Sequence, residues 1–153
     1  TAPVPEYLAA GVDVGLGTDG AASNNDLDMF EAMRFASLLH KLQRRDPKAV
    51  SAQASLQMAT IGGARAIGLE SEIGSIELGK RADLIVVSMA AARQTPMYDP
   101  ISHLVYATRG DDVIMTIVHG RILMRDGRVL SLDEPAVLAA ARRLAAEVSE
   151  AVR

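Results

Sequence analysis

Val12-Asp13-Val14-Gly15-Leu16-Gly17-Thr18-Asp19-Gly20-Ala21-Ala22-Ser23-Asn24-Asn25 is the stretch on which the reading of the fold turns. Val12, Val14 and Leu16 alternate with polar or small residues, which predicts a short strand, and the small, turn-forming residues that follow predict a loop at its C-terminal end. Ahead of it, Pro5 to Ala10 predicts a short helical turn closed by Gly11. Behind it, Asp26 and Asp28 sit where acids complement the positive end of a helix dipole. Met29, Phe30, Met33, Ala36, Leu39 and Leu42 then give a helical stripe running to Arg44 or Arg45. Helix, strand, loop, helix is the order of an α/β protein. An aspartate at the C-terminal end of a strand, with Gly17 and Gly20 around it, stands where α/β barrels carry their catalytic groups. The plainer alternative for Asp19 is a turn residue hydrogen-bonded to its own backbone.

Working outward, Asp46 and Pro47 predict the N-cap and first position of a second helix through Thr60, with a continuation from Gly62 to Ile67 closed by Gly68. From Ile73 the period changes. Gly74 to Lys80 reads as a strand and turn, and Ala82 to Val87 as a buried β-branched strand. A loop holding Pro96, Asp99 and Pro100 follows. Val113–Val118, Arg121–Arg125 and Arg128–Leu130, separated by His119-Gly120 and Asp126-Gly127, predict a three-stranded meander. A last helix, capped from Ser131 or Asp133, should carry Val137, Leu138, Ala141, Leu144, Ala145 and Val148 on one apolar face.

The bulk composition narrows the chemistry. A chain of 153 residues, 49% hydrophobic, suffices for one ordinary domain or a piece of a larger one. Its net charge of -3 comes from interspersed acids and bases, so nothing resembles a phosphate-binding stripe and nucleic acid is not an expected partner. The absence of cysteine excludes disulfides, thiolate nucleophiles and Cys-ligated zinc, and fits a reducing cytoplasm. No apolar run approaches the roughly 20 residues of a membrane span, and the N-terminal Thr-Ala-Pro-Val-Pro has no basic region of a signal peptide.

Gly15 to Gly20 matches the G-x-G-x-x-G dinucleotide fingerprint letter for letter. That fingerprint requires a helix opening inside the motif and a second strand about 20 residues on, whereas the next two periodic segments here are both helical. The three histidines stand apart: His40 on the expected polar margin of a helix, His103 in a loop-to-strand region, His119 in a hairpin turn. None pairs with another at metal-ligand spacing. Met29, Met33 and Met58 read as packing, and Lys41 to Arg45 as a solvated helix end.

The segment Gly17-Thr18-Asp19-Gly20-Ala21-Ala22-Ser23-Asn24-Asn25-Asp26-Leu27-Asp28-Met29 resembles the strand-8 segment of amidohydrolase-superfamily deaminases, most closely the 5-methylthioadenosine/S-adenosylhomocysteine deaminases. Gly74-Ser75-Ile76-Glu77-Leu78-Gly79-Lys80-Arg81-Ala82-Asp83-Leu84-Ile85-Val86 is similar to the point where such chains leave their barrel for a composite β-domain. Tyr98-Asp99-Pro100, His103 to Tyr106 and Val118 to Arg121 follow the same family in order.

The resemblance implies an α/β fold, the C-terminal part of a metal-dependent (β/α)8 TIM-like barrel plus the C-terminal strands of a small composite β-sandwich. Residues 1–70 would hold the last barrel strand and its helices, 71–130 the sandwich strands and 131–153 a terminal helix. It implies one divalent metal, expected to be zinc, held by an H-x-H pair, a later His and the strand-8 Asp. Of these only Asp19 lies in this sequence, as metal ligand, catalytic base and substrate contact, with Ser23 and Asn24 close enough to line the pocket. The implied reaction is hydrolytic deamination of an adenosine-type nucleoside. The implied partners are that nucleoside, the N-terminal half of the same barrel and a second copy in a dimer. Guanine-type deaminases, triazine-type hydrolases and a non-catalytic fragment are the other readings. Asp28, as a helix-start acid, is expected to contribute only a few tenths of a kcal/mol.

Overall fold

The computed structural model describes residues 2–152. Thr1 and Arg153, the outer bounds of the first and last expected segments, lie outside the described residues. Helix α1 spans Val4–Ala9, α2 Ala21–Asn24, α3 Met29–Arg44, α4 Ala52–Met58 and α5 Ile61–Ala66. Strand β1 is Leu84–Val87, α6 is Pro100–Tyr106, and β2 (Val113–Val118), β3 (Arg121–Arg125) and β4 (Arg128–Val129) precede α7, Glu134–Ala151.

The meander forms as its turn residues dictate. His119 and Gly120 take φ of 50° and 75°, and Asp126 and Gly127 take 50° and 73°. Both pairs therefore adopt the doubly left-handed turn that suits a two-residue hairpin. Strand β1 adds antiparallel to the other side of β2, giving the order β1-β2-β3-β4, with Leu84 opposite Ile117 and Ile85 opposite Thr116. The first hairpin is tied back to β1 by Gly120 N–H donating to Ala82 O (3.0 Å) and His119 N–H to the Asp83 carboxylate.

Against one side of this sheet lie α3, α4 and α6. Phe30, Met33 and Val105 form the buried centre, and Leu16, Leu56, Leu104, Val87 and Val113 pack on it. One core thus joins residues on both sides of position 70. Burying a side chain of this size contributes roughly 1.5–3 kcal/mol, so these few residues dominate the local stability.

Several sequence expectations are corrected. Residues 12–16 pair with no strand among the described residues, and a ladder needs a partner, so the expected strand is not formed within this chain itself. The second helix starts at Ser51, whose hydroxyl accepts Ala54 N–H, and not at Asp46. Asp46 caps only a turn, through Lys48 N–H, and Val50 at φ 44° interrupts the helical path. Gly74 to Lys80 makes turns and no strand. Gly74 and Gly79 are both left-handed, at 89° and 90°, and Lys80 reaches back to Ser75 and Glu77. Residues 100–106 are helical because Asp99 caps Ile101 N–H and Pro100 suits the first helical position, which puts His103 on a helix.

The buried face of α3 is Phe30, Met33, Ser37 and His40, whereas Leu39 and Leu42 are 47% and 76% exposed. Ser37 can be interior because its hydroxyl bonds Val50 O and the Tyr106 hydroxyl, both at 2.7 Å. Lys41 is no solvated end residue either: its ammonium donates to Ser37 Oγ, Ala49 O and Val50 O within 2.9 Å. In α7 the expected apolar face exists but covers nothing among the described residues, with Val137, Leu138, Leu144 and Val148 all exposed.

Candidate active site

Asp19 owes its position to the backbone that precedes it. Leu16 sinks into the core and its N–H donates to Met58 O at 3.1 Å. The extended segment lies directly on α5: a Cβ at Gly15 would sit 3.0 Å from Gly63 Cα, and one at Gly62 would sit 2.8 Å from Gln57 O and 3.1 Å from Val14 O. Only glycine permits so close an approach of two backbones. At Gly17 the chain leaves this support. Asp19 adopts φ 61°, a left-handed conformation that Asp and Asn tolerate best among side-chain-bearing residues, and Gly20 then caps α2.

The Asp19 carboxylate is exposed, and its Oδ1 accepts Gly20 N–H at 2.7 Å. The Ser23 hydroxyl lies between that carboxylate and Gly20 O (3.1 Å) and has one proton for the two acceptors. The Ser23 hydroxyl first, and then Gly20 N–H, hold the carboxyl below its usual range, outweighing a small opposing effect of desolvation. Asp19 is therefore ionised at neutral pH, fit to ligate a cation or accept a proton. It opens on a cleft of about 350 Å³ lined also by Leu16, Thr18, Ser23, Asn24, Glu31 and Phe35. A larger cavity of about 770 Å³ between α3 and the sheet is walled mainly by Met, Leu, Ile, Val and Phe side chains, and Asp28 and Asp83 are its only ionisable lining groups.

Catalytic zinc takes about three protein ligands. Among the described residues no group of three or more His, Asp or Glu is gathered to hold a metal. A single exposed carboxylate such as that of Asp19 has the chemistry of one oxygen ligand and no more. The histidines are elsewhere: His40 is buried on α3 with Nδ1 unpaired, His103 Nδ1 lies 3.0 Å from Asp99 O, and His119 occupies its hairpin turn.

Asp28 is more than the dipole complement expected from sequence. Its Oδ1 accepts Phe30 N–H at 2.8 Å, a true N-cap worth about 1 kcal/mol, and its Oδ2 accepts Gly110 N–H at 2.9 Å, 82 residues away. Arg34 donates to Thr108 O at 2.6 Å, and Arg93 pairs with the buried Asp112. These contacts carry no sequence signal, because nothing local marks a partner so far along the chain.

The amidohydrolase family model matches residues 1–123. A 5'-deoxyadenosine deaminase of Methanosarcina barkeri is 51% identical over 147 residues, covering 96% of this chain and 34% of its own length. A 5-methylthioadenosine/S-adenosylhomocysteine deaminase of Moorella thermoacetica is 54% identical over 138 residues, 90% of this chain and 32% of its own. Among solved structures, an adenosine deaminase from Xanthomonas campestris with bound zinc superposes with a TM-score of 0.92 at 38% identity, over 97% of this chain and 34% of the other. An atrazine chlorohydrolase from Arthrobacter aurescens complexed with zinc superposes at 0.84 with 31% identity, over 94% and 32%. The chain spans about a third of the length of these relatives.

Proposed function

The chain belongs to the amidohydrolase family, and from that premise we propose that it is the C-terminal part of a hydrolase that deaminates an adenosine-type nucleoside, with Asp19 as metal ligand and proton carrier. The observation that carries the reading is the ionised, exposed carboxylate of Asp19, held in a left-handed loop where the extended segment leaves α5. The higher identity to nucleoside deaminases than to the triazine-type hydrolase supports the substrate class, with 5-methylthioadenosine, S-adenosylhomocysteine, 5'-deoxyadenosine and adenosine as candidates. In the same reading, residues 1–70 end a (β/α)8 barrel, 71–130 contribute strands to a composite β-sandwich, and the remaining metal ligands come from an upstream half. A homodimer in the cytoplasm completes the proposal.

A bound divalent metal, zinc in this proposal, would supply water activated at neutral pH. Asp19 accepts one proton at its carboxylate as the water oxygen bonds to the purine carbon and passes it to the amino group, while the other water proton ends on the adjacent ring nitrogen, so that the exocyclic C–N bond breaks, ammonia leaves and the ring is left as the lactam. Gly20 N–H orients that carboxylate, and the Ser23 hydroxyl beside it helps to keep it ionised. Residues Ser23 and Asn24 line the cleft and would meet the nucleoside.

The test is Asp19→Asn in the complete enzyme. Asn tolerates the same left-handed backbone, so the fold should survive while basicity is lost. General-base removal costs ~10²- to 10⁴-fold, and weakened metal activation adds to it, so a loss of about 10³-fold or more is expected. Absorbance of the adenine-to-hypoxanthine conversion and metal content are the measurements. Turnover within tenfold of wild type on every accepted substrate would return Asp19 to the status of a turn residue.

A further inference from the structure

We propose that Asp28 is a positioning residue that fixes the Asp19 loop in place by latching it to the turn before β2, an inference resting on the reading of Asp19 as the reacting carboxylate. Between residues 17 and 27 every hydrogen bond among the described residues is local. Gly20 N–H bonds Asp19, Ser23 and Asn24 N–H bond Gly20 O, Asn24 Nδ2 bonds Asp26 O, and Asp28 N–H bonds Asp26 Oδ1. Residues 19–27 are all exposed among the described residues, which span about a third of the relatives' length. Within these residues the loop is anchored at its two ends.

The upstream end is Leu16, partly buried against the core and bonded through its N–H to Met58 O. The downstream end is Asp28, whose two oxygens take two N–H donors from different parts of the fold, Phe30 at the start of α3 and Gly110 in the turn leading to β2. That turn is itself rigid: Asp112 accepts Arg109 N–H at 2.9 Å and pairs with Arg93, and Arg34 bonds Thr108 O from further along α3. Releasing Gly110 frees the N-terminal end of α3 from its fixed support, and the self-bonded loop carrying Asp19 moves with it. A displacement of about 1 Å at a reacting group can cost ~10²-fold in rate.

Two variants of the complete enzyme isolate the latch. Asp28→Ser keeps a good N-cap, since Ser caps about as well as Asp, but is one atom shorter and single-oxygened, so it cannot also reach Gly110. Asp28→Asn keeps the cap through its side-chain oxygen and turns an amide NH2, which cannot accept, toward Gly110 N–H. Hydrogen exchange on the metal-free protein and steady-state kinetics are read together. Each variant should raise exchange across residues 17–27 by roughly tenfold or more and lower kcat by about 10- to 100-fold. KM should stay within about threefold, and the two variants should behave alike, because both remove the one bond to Gly110. If exchange in the loop and kcat are unchanged while only thermal stability drops, or if exchange rises with kcat intact, the positioning role is overturned. If either variant does not fold, the other carries the same comparison. Raised loop exchange in an enzyme whose Asp19→Asn variant remains active would instead sink the assignment of Asp19 and leave the latch standing.

Discussion

Gly62→Ala puts two physical arguments in opposition, and its sign decides between them. Gly62 lies inside α5, where helix propensity alone favours alanine by about 1 kcal/mol. Close packing opposes that gain. The new Cβ would stand 2.8 Å from Gln57 O and 3.1 Å from Val14 O, and both are backbone oxygens that no rotamer change can move. Reaching an ordinary 3.4 Å contact requires a shift of about 0.6 Å (3.4 minus 2.8) of α5 from the end of α4, and about 0.3 Å (3.4 minus 3.1) from the segment that leads to Asp19. Overpacking of this kind costs about 1–3 kcal/mol, and contacts inside 3 Å to rigid backbone belong in the upper part of that range. After the propensity gain, a net destabilisation of roughly 1–2 kcal/mol remains. The assay is denaturant or thermal unfolding of the complete enzyme, with Gly17→Ala as control, because a Cβ at Gly17 would meet no atom within 4 Å and its φ is not positive. Activity should fall along with stability in Gly62→Ala, since the displaced residue Val14 lies five positions before Asp19. A Gly62→Ala enzyme that is more stable than wild type would refute the close backbone packing of α5 on residues 12–16.

Two further outcomes rest on buried charge and on uncovered apolar surface. Asp112 is 8% exposed; burial alone would raise its pKa, but Arg109 N–H and the Arg93 guanidinium more than compensate and hold it below the usual range. Because its folded pKa is depressed, its contribution is complete above the ordinary carboxylate value of about 4 and is lost as pH falls through the folded value. Asp112→Ala should therefore destabilise by about 2–3 kcal/mol at neutral pH, the lower part of the range for a broken buried pair because Arg93 is 36% exposed. The deficit should shrink in melts taken below about pH 4, and a pH-independent difference would contradict the pairing. The 153-residue chain expressed by itself exposes Phe35, Leu38, Leu39 and Leu42 on α3 and Val137, Leu144 and Val148 on α7. It should aggregate or bind hydrophobic dyes strongly and should not retain zinc through dialysis. A monomeric product melting cooperatively with stoichiometric zinc would remove the need for an upstream half.

What could be read from the sequence unaided is what local chemistry controls. The two-residue turns at His119-Gly120 and Asp126-Gly127 fixed the meander, Ser131 or Asp133 and the pair Asp26 and Asp28 bracketed the starts of α7 and α3, and the glycine-flanked Asp19 stood out from any packing pattern. The segment around it also carried the family resemblance that the relatives bear out. Tertiary structure alone decided which face of α3 is buried, because Ser37 is admitted to the interior by Val50 O and Tyr106, and no rule of period 3.6 contains that information. Finally, it joined Asp28 to Gly110 and Arg93 to Asp112, contacts 82 and 19 residues apart whose donors carry no local signature. The division follows from range: capping and turn energies act within four or five residues and can be read in order, whereas burial and long-range hydrogen bonds exist only once the chain has closed on itself.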